Sequence, residues 1–262
     1  MATATVNGIT FSYTDSGGDG PAVVFSHGYL MDAEMFGPQV AALAPEFRVI
    51  TWNERGFGGT LTGGPFTYWD SAQDVLGLLD HLGIERAVLA GMSQGGFISL
   101  RAALLAPARV RALVLIDSQA GLEDPGTVPA YEQMEEIWME QGPVPVQDVV
   151  AAIILGAPGT VDYEPWFAKW AVWDRNELRV AFRCLLDRDD ITDRLGEISC
   201  PTLIVHGTAD AAIPMEHAEI VRAGLAGPVT LAEIADGSHA SNLSHPDPVN
   251  AAILDFLRQL DA

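Results

Sequence analysis

Short apolar runs alternate along the chain with segments in which apolar residues recur at helical spacing. The runs that predict strands cover residues 9–13, 22–26, 48–52, 87–90, 112–116, 202–205 and 229–234. The segments that predict helices cover residues 36–43, 69–82, 95–106, 215–225 and 248–260. In one of them Ala72, Val75, Leu79 and Leu82 would share a single helical face. Alternating strands and helices indicate βαβ units, and therefore an α/β protein with a mainly parallel sheet.

Residues 118–194 interrupt this alternation. The segment contains no convincing strand, and its helical patterns cover residues 131–140, 146–155 and 166–186. It also holds most of the tryptophans of the chain, namely Trp138, Trp166, Trp170 and Trp173. We interpret residues 118–194 as a helical cap over one end of the sheet. The core domain would then comprise residues 1–117 and 195–262.

The composition is typical of a globular chain, because 48% of its 262 residues are hydrophobic and 19% are charged. No apolar run approaches the roughly 18 residues that span a bilayer. The first residues lack the basic and apolar regions of a signal peptide. The two cysteines, Cys184 and Cys200, form neither a disulfide framework nor a metal-binding motif. We therefore expect a cytoplasmic protein.

The charge narrows the range of partners. The chain has 14 Lys and Arg residues against 35 Asp and Glu residues, which gives a formal net charge of −21. Nucleic-acid binding requires cationic side chains that displace counterions from phosphates, so we expect no nucleic-acid partner. An anionic membrane surface is disfavoured for the same reason. The expected partner is a small molecule that is neutral or largely apolar, and assembly into a homo-oligomer stays open.

Residues 91–95, Gly-Met-Ser-Gln-Gly, form a Gly-x-Ser-x-Gly motif between a predicted strand and a predicted helix. A sharp turn at this place would strain the backbone of Ser93, and the flanking glycines would prevent collisions with neighbouring main chain. The turn would expose the hydroxyl group at a helix N-terminus, where free N–H groups favour negative charge. The motif therefore predicts a nucleophilic serine, and the alternative is an ordinary N-cap residue.

A serine hydroxyl needs an oriented base to take its proton. Asp210 and His239 each follow a predicted strand, at the edge of the sheet where Ser93 would lie. The chain order Ser, Asp, His is the one found in α/β-hydrolases. Asp117 is an alternative acid because it directly follows the strand at 112–116, and His245 is an alternative base.

Further segments resemble the α/β-hydrolase family, and the resemblance covers nearly the whole chain. Residues 26–29, Ser-His-Gly-Tyr, resemble its oxyanion loop. Residues 52–58 resemble its Asp-x-Arg-Gly-x-Gly loop, with Asn53 in place of the usual acidic residue. Residues 206–210 and 237–239 resemble its acid and histidine segments. Small capped carboxylesterases, 3-oxoadipate enol-lactonases and cofactor-free haloperoxidase-like members are the most similar, which implies a sheet of about eight strands flanked by helices.

The resemblance also implies an oxyanion hole formed by the backbone N–H groups of Tyr29 and Gln94. The predicted substrate pocket comprises Met92, Met134, Trp138, Trp166, Trp170 and Ile213. For the cap aromatics, packing in the seam between cap and sheet is the alternative to a place in the pocket wall. No cluster of His, Asp or Glu has the spacing of metal ligands, so we expect neither a metal nor a cofactor.

These residues predict a serine hydrolase that cleaves a carboxylic ester or lactone through an acyl-enzyme on Ser93. A haloalkane dehalogenase or epoxide hydrolase is disfavoured because those relatives carry a carboxylate where this chain has Ser93. The alternatives are another reaction of the same residues, such as C–C bond hydrolysis, perhydrolysis or cofactor-free oxygenation, and a non-enzymatic ligand receptor. The acidic composition makes anionic 3-oxoadipate-type substrates less favoured than neutral ones.

Overall fold

A computed structural model describes residues 1–260 and contains one sheet of eight strands. The strands are β1 (Ala2–Val6), β2 (Ile9–Asp15), β3 (Ala22–Ser26), β4 (Arg48–Trp52), β5 (Ala87–Met92), β6 (Val110–Ile116), β7 (Thr202–Gly207) and β8 (Val229–Ile234). Their order across the sheet is β1-β2-β4-β3-β5-β6-β7-β8. The β1–β2 and β2–β4 pairs are antiparallel, and all the other pairs are parallel. The predicted α/β class and mainly parallel sheet are thus confirmed.

The hairpin of β1 and β2 adds a strand that the apolar pattern did not predict. Its inward-facing residues include Ala4 and Val6, which are small beside the leucines and isoleucines of the central strands. The signal was in the turn instead, because Asn7 and Gly8 both have positive φ, at 50° and 80°. An Asn-Gly pair of this kind connects the strands of tight hairpins.

Ten α-helices accompany the sheet in residues 1–260. They are α1 (Gly37–Leu43), α2 (Tyr68–His81), α3 (Gln94–Leu105), α4 (Val128–Gln141), α5 (Gln147–Leu155), α6 (Glu164–Trp170), α7 (Arg175–Leu186), α8 (Met215–Gly224), α9 (Ser241–Ser244) and α10 (Pro246–Gln259). The prediction of a single helix at 166–186 is wrong, because the segment forms two helices, α6 and α7, with a short connection between them. Asp174 begins the second of these helices by accepting a hydrogen bond from the Asn176 N–H. Every helix in the described chain is too short or too polar to span a lipid bilayer.

The sheet is covered on both faces. Helices α1 and α10 contribute to the apolar core on one face, and α2, α3 and α8 contribute to the core on the other. Strand β5 is buried along its whole length, as expected of a central parallel strand. The residue that follows β5 is therefore held in a fixed position at the edge of the sheet.

Helices α4–α7 lie between β6 and β7, within the predicted cap segment. Helix α6 is tied to the loop that follows β3. Lys169, the only lysine of the chain, binds Asp32 at 2.6 Å and Glu34 at 2.8 Å. The indole N–H of Trp170 donates to the carbonyl oxygen of Leu30 at 2.7 Å. These contacts anchor the inserted helices beside the loop in which the sequence predicts an oxyanion donor.

Candidate active site

Ser93 occupies a sharp turn between β5 and α3. Its backbone has φ 51° and ψ −115°, a strained conformation for a residue with a side chain. A Cβ on Gly91 would collide with the main chain of Gly95, and a Cβ on Gly95 would collide with the carbonyl group of Ser26. The turn therefore requires glycine at both positions. It presents the Ser93 side chain at the N-terminus of α3, as the motif predicts.

The structure brings Ser93, His239 and Asp210 into one hydrogen-bonded series. The Ser93 hydroxyl lies 3.0 Å from Nε2 of His239, and Nδ1 of His239 lies 2.9 Å from Oδ2 of Asp210. The other carboxylate oxygen of Asp210 accepts hydrogen bonds from the N–H groups of Ala212 and Ile213, at 2.8 Å and 2.9 Å. Because a carboxylate only accepts, Nδ1 of His239 carries a proton and Nε2 is free to take one from serine.

The electrostatics of the pair favour a proton on His239. Burial lowers the pKa of His239, but the charge of Asp210 and the hydrogen bond to it outweigh burial and leave that pKa raised. Burial likewise raises the pKa of Asp210, and its interactions with His239 reverse the effect and leave it lowered. The arrangement can thus hold a carboxylate beside an imidazole that is basic enough to deprotonate an alcohol during attack.

The alternative acid and base make different contacts. Asp117, directly after β6, accepts hydrogen bonds from the N–H groups of Gly207 and Ser241, at 2.7 Å and 3.0 Å. Burial, and the charge of Asp210 after it, raise the pKa of Asp117 to about 7. Its carboxylate therefore joins the two loops that carry Asp210 and His239, without a hydrogen bond to His239. Nδ1 of His245 lies 2.9 Å from the Ser244 hydroxyl, next to the start of α10.

Asp117, His206 and Asp210 have ligand-type atoms within 4.8 Å of one another. The carboxylate oxygens and Nε2 of His206 already have partners in the protein, whereas Nδ1 of His206 has no hydrogen-bond partner in the described chain. Nε2 of His206 donates to the carbonyl oxygen of Ile213 at 2.8 Å, and the two carboxylates accept the main-chain N–H groups described above. We therefore interpret the cluster as the frame that holds Asp210 in place.

The N–H groups of Tyr29 and Gln94 donate no hydrogen bond to another residue in the described part of the chain. The Tyr29 N–H belongs to the peptide group whose carbonyl is that of Gly28. Nδ1 of His27 donates to this carbonyl oxygen at 2.8 Å and so fixes the peptide group. Burial lowers the pKa of His27 to about 4, so its ring is neutral at ordinary pH. The two free donors are available to an anionic oxygen, as the resemblance implies.

A cavity of about 120 Å³ opens onto Ser93 and His239. Its lining residues are Tyr29, Leu30, Met92, Ser93, Glu123, Tyr131, Met134, Glu135, Trp138, Met139, Val150, Ile153, Ile154, Leu178, Phe182, Leu185, Ala212, Ile213 and His239. Four of the six residues predicted for the pocket are among them: Met92, Met134, Trp138 and Ile213. The wall is mostly apolar, as is usual for small-molecule sites.

Trp166 and Trp170 lie outside that lining, contrary to their predicted place in the pocket. The Trp170 ring packs behind Trp138, with 5.5 Å between ring centroids. Lys169 lies over the Trp166 ring at 4.7 Å. Both indoles therefore belong to the seam that joins the inserted helices to the core. The Trp170 N–H donates to the carbonyl oxygen of Leu30 in the loop after β3, and this bond holds the ring against the core.

Three polar lining residues were not predicted from the sequence. Tyr131 and Glu135 lie on α4, three positions before Met134 and Trp138 respectively, and thus share their helical face. That spacing could have identified them. Glu123 precedes α4 and offered no such signal. Its carboxylate lies 3.0 Å from the buried guanidinium group of Arg188.

Comparison with known proteins agrees with the geometry. A sequence model described as the alpha/beta hydrolase fold matches residues 21–246. 3-Oxoadipate enol-lactonase 1 of Acinetobacter baylyi is 28% identical over 255 residues, which cover 92% of this chain and 90% of the relative. A thermophilic esterase from Thermogutta terrifontis has a TM-score of 0.88 at 27% identity, covering 100% of this chain and 99% of its own. The enol-lactonase from Burkholderia xenovorans LB400 has a TM-score of 0.89 at 28% identity, with 98% and 100% covered. The chain therefore belongs to the α/β-hydrolase fold family.

Proposed function

We propose that the protein is a serine hydrolase that cleaves a carboxylic ester or lactone of a small, largely apolar molecule. The observation that carries the proposal is the continuous hydrogen-bonded series from Ser93 through His239 to Asp210, at 3.0 Å and 2.9 Å, at the end of an apolar cavity. Relatives named as an enol-lactonase and an esterase support hydrolysis of a C–O bond in this fold.

In the first half of the reaction, Nε2 of His239 takes the proton of the Ser93 hydroxyl while its oxygen attacks the carbonyl carbon. Negative charge then develops on the carbonyl oxygen, and the N–H groups of Tyr29 and Gln94 stabilise it. Asp210 keeps the proton on Nδ1 and stabilises the imidazolium ion that forms. The imidazolium protonates the leaving alkoxide, the C–O bond breaks, and an acyl group stays on Ser93.

In the second half, water replaces the alcohol. His239 removes a proton from this water, the hydroxide oxygen attacks the acyl carbon, and the same two N–H groups hold the second oxyanion. Collapse of this intermediate returns the proton to the Ser93 oxygen and releases the carboxylic acid. A lactone would follow the same steps, with the alcohol still attached to the acyl group.

The charged groups of the cavity wall favour uncharged or cationic substrates over anionic ones. Glu123 and Glu135 line the cavity, and none of its lining residues in the described chain is Lys or Arg. The arginines that pair with the two carboxylates, Arg188 and Arg179, lie outside the lining. A free carboxylate on the acyl chain would therefore meet like charges without a cation of the wall to bind it.

We expect p-nitrophenyl butyrate to react with a kcat/KM about 3- to 10-fold above that of the p-nitrophenyl hemiester of succinic acid. Two like charges about 6 Å apart repel by roughly 2–3 kcal/mol at an effective dielectric constant of 20, and the arginine partners of Glu123 and Glu135 offset most of this repulsion. Glu135→Gln should narrow this ratio, and Glu132→Gln, on the exposed side of α4, should leave it unchanged. Steady-state kinetics of both esters at low salt would measure it. Equal kcat/KM values for the two esters would contradict the inferred substrate class.

Covalent trapping tests the proposed function itself. A fluorophosphonate should add once to the protein, and mass spectrometry of the peptides should locate the adduct on Ser93. Ser93→Ala should not react, and a panel of esters and lactones with graded acyl chains should be hydrolysed by the unmodified protein. Absence of the adduct on the unmodified protein, or the same amount of adduct on Ser93→Ala, would contradict the mechanism and favour a ligand receptor. Turnover that survives in Ser93→Ala would favour a reaction that uses only His239 and Asp210.

A further inference from the structure

Glu54 is a buried acidic residue that the mechanism above does not use. It lies in the loop after β4, is 2% exposed, and forms no ion pair with any residue of the described chain. One of its carboxyl oxygens, Oε1, has no hydrogen-bond partner. Burial of a carboxyl group without an ion pair is unfavourable, so the contacts of Glu54 should show why it is retained.

The carboxyl group of Glu54 holds the side chain of Gln94. Nε2 of Gln94 lies 2.6 Å from Oε2 of Glu54, and the Tyr68 hydroxyl donates to Oε1 of Gln94 at 3.1 Å. Both the NH₂ group and the oxygen of the Gln94 side-chain amide are therefore hydrogen-bonded, directly after the strained turn at Ser93. The N–H of Gln94 is one of the two oxyanion donors proposed above, so fixing this residue fixes the direction of that N–H.

The backbone of Glu54 holds the second donor. Its N–H donates to Nε2 of His27 at 3.0 Å, which leaves the proton of the ring on Nδ1. That proton binds the carbonyl oxygen of Gly28, whose peptide carries the N–H of Tyr29. The main-chain N–H of His27 also approaches the Glu54 carboxyl group. One residue thus contacts both loops that form the oxyanion hole.

We propose that Glu54 is a positioning residue for the oxyanion hole, whose carboxyl group orients the Gln94 N–H through the Gln94 side chain and braces the loop of Tyr29 from behind. This role rests on the proposed function, because it concerns the donors of that reaction. The contact needs a planar, polar group of this size, and glutamine supplies one whereas leucine does not.

Protonation of the carboxyl group matters for this role. Burial raises the pKa of Glu54 well above its usual range, because it disfavours the ionised form of the carboxyl group. The titratable groups that interact with Glu54 are His27, Tyr68 and Cys184, and the charged groups beside Tyr68 and Cys184 include Arg101 and Arg188. None of them forms an ion pair with Glu54. Ionisation would place a buried negative charge on the group that binds the Gln94 side chain, behind the oxyanion hole, and would oppose development of the oxyanion.

The test compares Glu54→Gln with Glu54→Leu, using p-nitrophenyl butyrate as the substrate. Glu54→Leu should lower kcat by about 10- to 100-fold with KM within about twofold, because the lost alignment affects only the transition state. Glu54→Gln should keep kcat within about threefold and should lose the part of the pH dependence of kcat that comes from ionisation of Glu54. The backbone amide resonances of Gln94 and Tyr29 in NMR spectra should shift in Glu54→Leu and stay in place in Glu54→Gln.

Gln39→Leu is the matched control, because Gln39 is also fully buried and bonded at its amide, to Asn242 and Asn250. It should lower the melting temperature without the loss of kcat. Equal losses of kcat in Glu54→Leu and Gln39→Leu, or unchanged Gln94 amide resonances in Glu54→Leu, would overturn the role of Glu54. A wild-type protein that hydrolyses no ester would overturn the proposed function alone, since the amide resonances would still decide whether Glu54 positions these groups.

Discussion

Replacement of Ser93 by alanine is expected to lower kcat for p-nitrophenyl butyrate by about 10⁵- to 10⁶-fold, the loss typical of a nucleophile that acts with its base as one unit. The Ser93 hydroxyl lies 3.0 Å from Nε2 of His239, and no other hydroxyl group has a hydrogen bond to that nitrogen in the described chain. KM should change little, because the hydroxyl contributes little to binding of the ground state. Single-turnover and steady-state kinetics at substrate saturation would measure the loss.

His239→Ala provides the matched comparison. If His239 acts only on Ser93, loss of His239 should lower kcat about as much as loss of Ser93 does. The double variant should then be no slower than either single variant, because the two effects are not additive. Circular dichroism and the melting temperature should show that each variant is folded. A loss of less than about tenfold in Ser93→Ala, or additive losses in the double variant, would contradict the assigned roles.

The placement of these residues could be predicted because their backbone, not their packing, determines it. Ser93, Asp210 and His239 each follow a strand of the parallel part of the sheet. All such strands end at the same edge, so residues far apart in sequence meet there. The motif around Ser93 adds a steric requirement for glycine that the collisions at Gly91 and Gly95 explain.

Position alone could not distinguish Asp117 from Asp210, because both follow strands at that edge. The distinction depends on hydrogen bonds across the fold. Both oxygens of Asp117 accept main-chain N–H groups, whereas Asp210 keeps Oδ2 for His239. The contacts of Asp117 with Gly207 and Ser241 join residues more than 80 positions apart, and no local pattern contains them.

The wall of the cavity was harder to predict for a related reason. Helical spacing shows which side chains share a face, but not what that face meets. Trp138 faces the cavity, whereas Trp170 on another inserted helix donates its N–H to Leu30 and joins the seam. Glu54 was hidden in the same way, since its importance comes from the buried side chain of Gln94 rather than from its own sequence motif.

The second large effect is expected at Asp210. Asp210→Asn should lower kcat/KM by about 10⁴-fold, because the neutral amide neither stabilises the imidazolium ion nor keeps the proton on Nδ1 of His239. The pH dependence gives a separate signature. Asp210 holds the pKa of His239 above its ordinary value, and wild-type activity therefore rises as pH increases through that raised pKa. Without the carboxylate the pKa falls, so the acidic limb of residual activity should move to lower pH.

Asp117→Asn tests the competing assignment under the same conditions. Its amide would oppose one of the two N–H groups that Asp117 now binds, at Gly207 or Ser241, and should therefore lower stability. Activity should fall by no more than about tenfold, because His239 keeps its bond to Asp210. Profiles of kcat/KM between about pH 5 and 9 for both variants would separate the two acids. The opposite result would be a loss of kcat/KM of about 10⁴-fold in Asp117→Asn and a small loss in Asp210→Asn. Asp117 would then be the catalytic acid, and the 2.9 Å contact of Asp210 with His239 would be structural.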